Sequence, residues 1–302
     1  MTYTSYEPGV LVRHPAKPKW GLGKVLTVKL PNVAVFFRDD EADYRTISLN
    51  HATLEIVPHV VDAILDNLPP FVGGQFDVKA RRIAPAAIEA RFKQIFPLGF
   101  NDPNYLGKEE YGERNYKWAA HERYAETLGD GQGEELLAAG KLKELTVRAH
   151  TVASQDINLL SPYEKMALRD GLAADPSATE RFFAALFAFI AAGTPRKDLF
   201  TPLAQALAAI PLAEGKARVA TWPVLTILPF LAQPDAFMFL KPEPTKEAAE
   251  RRRFELQYSA DLRWVTYKKL MIMSNTLLEE LRDEGARDYI DVQSYMWVIA
   301  KY

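Results

Sequence analysis

The 302-residue chain has no cysteine, which excludes a disulfide framework, a thiolate metal site and a cysteine nucleophile and fits a reducing cytoplasm. It also lacks an apolar run of membrane-spanning length. The longest runs, Phe182 to Ala192 and Trp222 to Ala232, have 11 residues each, against the roughly 20 that a spanning helix needs. The opening MTYTSYEPGV has neither the basic nor the apolar stretch of a secretory signal. A soluble, cytoplasmic protein with no membrane partner is expected. An excess of positive charge is missing too: 37 Lys and Arg stand against 39 Asp and Glu, for a net charge of −2. That excludes a globally basic nucleic-acid coat protein and leaves only local basic surfaces. Apolar matter is not scarce. With 48% hydrophobic residues the chain can bury a large core, so folded domains are expected.

Motifs for metal and nucleotide chemistry are absent as well. His121 opens H-E-R-Y-A, but a zinc-protease helix needs a second histidine where Ala125 stands, and a di-iron Glu-x-x-His needs glutamate in place of Trp118. His14, His51, His59 and His150 show no ligand spacing. Gly140-Lys141 fails as a P-loop, because Glu135 takes the place of its first glycine and Leu142 that of its Ser or Thr. Gly129 to Gly133 reads as a connection between helices. No metal and no cofactor are expected.

What is present begins with short apolar runs at Val10–Val12, Lys24–Val28, Val33–Phe37, Tyr44–Ile47 and Leu54–Val57, separated by Pro, Gly, Asn and Asp clusters. These read as five strands with alternating faces. So few residues bury both faces of a sheet by curling it closed, which predicts a small SH3-like or Tudor-like barrel. Charge along it is uneven. From Pro8 to Arg38 there are six basic residues and no acid, whereas Asp39, Asp40, Glu41 and Asp43 follow together. Arg13, Lys17, Lys19, Trp20 and Arg38 are the candidate contact face, with the cations meeting phosphates or an acidic protein surface and the indole as anchor. The plainer alternative is a solvated loop over a buried Trp20.

After Pro58 the apolar period changes from two to between three and four. A short helix is expected from His59 to Leu68, then a loop from Phe71 to Ala84, and mostly helices thereafter. Glu113 and Lys117 form a favourable i,i+4 pair in a helix over Glu109–Leu128. Ser161 with Glu164, and Ser177 with Glu180, read as capping boxes. Trp222–Leu231 is a buried segment interrupted by Pro223 and Pro229, and Phe237–Leu240 is open between strand and helix. A helix is expected over Lys246–Arg253, and another over Trp264–Arg282 with Gly285 as its stop. Arg287–Tyr302 is apolar nearly all round and predicts an interior helix. The expected fold is therefore α+β: a five-stranded SH3/Tudor-like barrel over residues 1–58, a helix and linker over 59–84, and a larger all-α domain over 85–302.

One polar set interrupts that last helix: Asp288, Asp291 and Gln293, preceded by Arg287. Two aspartates suggest the carboxylates of a metal-dependent nuclease. The alternative is that Asp288 caps the helix and pairs with a cation while Asp291 and Gln293 make buried hydrogen bonds. Lys79, Arg81 and Arg82, and Arg251, Arg252 and Arg253, are further candidate phosphate contacts.

The pattern P-G-x-x-V-x-H-P-x-x-P-x-W-G-x-G-x-V, formed by Pro8, Gly9, Val12, His14, Pro15, Pro18, Trp20, Gly21, Gly23 and Val25, resembles a small bacterial domain family of unknown function. It is also similar to the Tudor-like C-terminal module of UvrD-type helicases and, more distantly, to the RNA-polymerase-binding domain of CarD-like regulators. The resemblance covers residues 6–57 and implies a non-catalytic docking barrel whose partner is RNA polymerase or nucleic-acid machinery. No helicase motor accompanies it, so a helicase-linked role does not carry over. Residues 237–299 faintly resemble helical regions of DNA-restriction and defence proteins. Three functions stay open: a non-enzymatic adaptor, which the residues favour, a defence-linked DNA-binding protein or nuclease, and a purely protein-binding helical scaffold.

Overall fold

Alternating apolar side chains in the first 57 residues build an antiparallel sheet of five strands: β1 (Leu11–Arg13), β2 (Leu22–Lys29), β3 (Asn32–Phe37), β4 (Arg45–Ser48) and β5 (Glu55–Val57). The computed structural model describes residues 6–40, 42, 44–58, 60, 62, 65, 68, 71–72, 74–76, 90, 92–107, 112–211 and 218–301. Strand order is β4-β3-β2-β1-β5, so β5 returns to pair with the first strand. One face packs Val12, Val25, Val33, Val35, Phe37, Ile47 and Leu54 into a core, with Trp20 half-buried against it. The opposite face is apolar as well. There Leu11 and Phe36 are covered by Leu65, Leu68 and Phe76. These covering residues fall in the stretch that the sequence assigns to helix and linker. They explain how every residue of β3 after Asn32 is buried.

The chain divides into two compact units, Met1–Ala80 with Gln257–Ser259, and Arg81–Leu256 with Ala260–Tyr302. A two-stranded ribbon, β6 (Phe71–Val72) and β7 (Gln75–Phe76), belongs to the first.

The second unit is helical: α1 (Pro103–Leu106), α2 (Asn115–Leu128), α3 (Gln132–Ala138), α4 (Leu142–Ser154), α5 (Pro162–Ala174), α6 (Pro176–Ala191), α7 (Lys197–Ala208), α8 (Trp222–Ala232), α9 (Pro242–Arg251), α10 (Trp264–Glu280) and α11 (Tyr289–Lys301). The protein is thus α+β, as its sequence predicts. Ser161 makes the full capping box with Glu164 at the start of α5. Ser177 does not repeat it. Asp175 caps α6 instead, accepting from the Ser177 and Ala178 amides at 2.9 and 3.0 Å, with Pro176 opening the helix. An ionised carboxylate bonded to two free amides at a helix start outcompetes a hydroxyl two residues later.

Helix α8 runs unbroken through Pro229, and Trp222 to Leu231 are all buried. Phe237–Leu240 is neither helix nor strand. It is a segment at most 1% exposed, whose backbone bonds partly to side chains: Tyr267 donates to the Met238 carbonyl at 3.1 Å and the Leu240 amide to Thr226 Oγ1 at 3.0 Å, while the Phe237 amide donates to the Gln233 carbonyl at 3.0 Å. Helix α10 gives way to a tight turn ending at Gly285, whose φ of +91° is the left-handed stop expected there. No helix among the described residues is long and apolar enough to cross a membrane.

Candidate functional site

In the first unit the loop from His14 to Trp20 is pinned by its own backbone, the Lys17 amide on the His14 carbonyl at 2.9 Å and the Trp20 amide on the Lys17 carbonyl at 3.0 Å. The Trp20 indole meets His14 edge-on with centroids 5.1 Å apart and Phe37 at 5.1 Å. The Arg45 guanidinium lies over the indole, 5.2 Å from its centroid. Arg45 is held there by Asp40, a carboxylate only 6% exposed, through bonds of 2.6 and 3.1 Å. Two motif glycines have steric reasons. A side chain at Gly21 would strike Asp39, and one at Gly23 would come within 2.6 Å of the Phe37 ring.

Of the candidate contact residues, Arg13, Lys17 and Lys19 are exposed on or beside this loop and make no ion pair among the described residues. Arg38 is engaged elsewhere. It pairs with Asp62 at 2.5 Å and lies 3.6 Å from Asp39, so it anchors the segment after β5. Lys79, Arg81 and Arg82 lie outside the described residues. Arg251 pairs with Glu247 at 2.7 Å and Arg252 with Glu280, which leaves Arg253 as the exposed member of that triplet.

The second unit holds a denser arrangement. Arg114, immediately before α2, donates to both Asp288 oxygens at 3.0 and 2.7 Å and to Asp291 Oδ1 at 2.7 Å. Tyr105, fully buried, donates to the same Asp291 oxygen, and the Arg287 amide reaches Asp291 Oδ2 at 2.8 Å. Asp288 also caps α11 through the Ile290 and Asp291 amides at 2.9 and 3.2 Å. Lys117 is buried completely and donates to Glu113 at 3.0 Å and Ser294 at 2.7 Å.

The electrostatics follow from this burial. Desolvation works against charge on Arg114, yet the hydrogen bonds and fields of Asp288 and Asp291 outweigh it and hold the guanidinium more firmly protonated. Burial lowers the Lys117 pKa, with Glu113 opposing. Burial raises that of Asp291 from 3.8, partly offset by Arg114 and Tyr105. Burial, then Asp291, pushes the Tyr105 phenol well up, so it stays a donor.

Every carboxylate oxygen of Asp288 and Asp291 is therefore occupied by donors from the chain. Among the described residues no cluster of three or more metal-ligating side chains occurs. His121 Nδ1 lies 2.7 Å from the Leu231 carbonyl oxygen.

Beside this network a cleft of about 300 Å³ opens, lined among others by Glu113, Tyr116, Phe239, Lys241, Gln293 and Trp297. Gln293 is 5% exposed, and its Oε1 is buried without a hydrogen-bond partner among the described residues. Lys241 spends two of its three donors on the Leu159 carbonyl at 2.9 Å and Glu164 at 3.2 Å. Sequence reasoning singles out Asp288, Asp291 and Gln293 but misses Tyr105, Arg114 and the burial of Lys117. A signal was there: Arg114 and Lys117 continue, at three-residue steps, the buried stripe of Ala120, Tyr124 and Leu128 on α2.

Comparison with known proteins adds one match. Residues 6–57 fit the model of a family described as Protein of unknown function (DUF3553). No curated protein and no solved structure matches the chain.

Proposed function

We propose that the protein is a non-enzymatic adaptor. Its N-terminal sheet is an SH3/Tudor-like docking module that applies the Arg13, Lys17 and Lys19 loop to an acidic protein surface of RNA polymerase or its attendant machinery. The observation carrying this reading is that three cations within seven residues stand exposed with no ion pair among the described residues, on a loop fixed by its own backbone. A rigid loop loses little entropy on docking, and unneutralised cations give such a contact its steering and specificity.

An acidic protein fits better than stacked nucleobases, because Arg45 already covers the Trp20 ring. Trp20 then serves as a prop for the loop. The nuclease reading loses its motivation, since Asp288 and Asp291 spend their oxygens on Arg114, Tyr105 and backbone amides.

The test uses purified bacterial RNA polymerase and the full chain, compared with Arg13→Glu/Lys17→Glu/Lys19→Glu. Binding by the wild type that drops at least about tenfold in the variant is expected for loss of several complementary charges. Absent binding, or equal binding by both proteins, defeats the proposal. Tight binding to duplex DNA that collapses between about 50 and 200 mM salt would transfer the loop to a phosphate-binding role.

A further inference from the structure

A buried carboxamide with no partner is costly, because an amide removed from water without replacement hydrogen bonds is penalised by roughly 1–3 kcal/mol. The carboxamide oxygen of Gln293, Oε1, is buried with no hydrogen-bond partner among the described residues, and Gln293 lines a cleft whose size is at the lower end of small-molecule sites. Its neighbours fall into two kinds. Tyr116, Phe239 and Trp297 offer flat apolar surface, while Glu113 adds a carboxylate whose Oε2 holds Lys117. The positive charge of Lys241 is already matched by Glu164. The cleft thus presents one carboxamide, one carboxylate and aromatic walls.

An amide presents an acceptor and a donor side by side. Its natural complement is another edge with adjacent donor and acceptor, the pairing by which glutamine reads an adenine. Aromatic walls favour a planar body. A carboxylate rewards an added N–H or hydroxyl donor and repels an anion.

We infer that this cleft in the helical unit binds a neutral planar heterocycle with an amide-like edge, a free nucleobase or its nucleoside, through the carboxamide of Gln293 with Glu113 as second acceptor. The site is separate from the docking loop and stands or falls independently of it. The buried Arg114, Lys117, Asp288 and Asp291 network fixes the α2 and α11 segments that supply Glu113, Tyr116, Gln293 and Trp297, so the network acts here as a positioning device.

The experiment titrates the full chain by calorimetry with adenine, guanine, cytosine, uracil, their nucleosides, and adenosine monophosphate. Expected is saturable binding of at least one base or nucleoside, with the monophosphate weaker than adenosine. Gln293→Met should weaken that binding by about tenfold or more, the discrimination a bidentate amide pair provides. Without ligand it should melt no lower than wild type, because it removes the orphaned group. The wild type gives a second reading that needs no variant. The side-chain amide resonances of Gln293 should shift along the titration. No saturable binding by any probe at millimolar concentration would leave Gln293 holding water alone and overturn the inference. So would a binder that leaves those resonances unmoved or binds Gln293→Met equally well.

Discussion

Replacing Arg114 by methionine removes the cation that pairs with two buried carboxylates at once, and its cost can be worked from the structure. Side-chain exposure is 11% for Arg114, 9% for Asp288 and 0% for Asp291. Breaking a buried pair by deleting one partner costs about 3–5 kcal/mol. Retained donors argue for the lower end: Asp291 keeps Tyr105 and the Arg287 amide, and Asp288 keeps its two cap amides. Loss of the guanidinium over the Trp118 ring, at 4.9 Å, contributes about 0.5–1 kcal/mol of that total.

Protonation sets a ceiling and gives the effect a pH signature. Asp291 already has a folded pKa above its ordinary 3.8, and removing Arg114 lifts it further. A carboxyl raised in the fold weakens the fold above its folded pKa, and the penalty vanishes as pH falls to the unfolded value. At about 1.36 kcal/mol per pH unit, one carboxylate can cost no more than roughly 5 kcal/mol near pH 7.5 and roughly 1.6 near pH 5. Urea unfolding followed by far-ultraviolet circular dichroism should therefore show Arg114→Met weaker by about 3 kcal/mol near pH 7.5, the deficit shrinking by about 1 kcal/mol or more near pH 5. A deficit under about 1 kcal/mol, or one that does not change with pH, would refute the claim that Arg114 neutralises buried carboxylates.

Lys117→Met should cost less than about 1.5 kcal/mol in the same assay, because Glu113, with a side chain 27% exposed, can rehydrate where Asp291 cannot; a loss equal to that of Arg114→Met would contradict this. Gly23→Ala drives a methyl to within 2.6 Å of the Phe37 ring and should destabilise the sheet by about 1–3 kcal/mol, read from the unfolding of the first unit by tryptophan fluorescence. Asp175→Ala strips two amide bonds from the start of α6 and should lower stability by about 1 kcal/mol, with Asp175→Asn recovering most of it.

Much of the fold was legible because local rules decide it. Period-two apolar runs located all five strands of the sheet, Ser161 with Glu164 marked a helix start, and Gly285 marked a stop. Where the sequence misled, two local rules competed. Asp175 and Ser177 both cap helices, and the proline between them favours the earlier start because it suits the first helical position. Phe237–Leu240 was undecidable for a different reason. Two of its backbone groups bond to the side chains of Thr226 and Tyr267, contacts that no propensity encodes. The cover over the second sheet face was hidden likewise, since Leu65 and Phe76 meet Phe36 only through tertiary packing.

The polar network was half legible, and the half that was missing follows from a rule that was available. A helix apolar all round belongs in the interior, so the polar residues it carries must find partners there. Asp288 at the cap of α11 and Asp291 within it thereby demanded a cation from elsewhere in the chain, though nothing local could say which one. The candidates were cations continuing the buried stripe of another helix, and Arg114 and Lys117 on or beside α2 meet that condition from 174 to 177 residues away. Asp288 and Asp291 satisfy that rule, as does Ser294, which donates to the Ile290 carbonyl at 2.9 Å. Gln293 Oε1 leaves it unmet among the described residues. Gln293 also lines a cleft, and for this reason its missing partner is sought in a ligand.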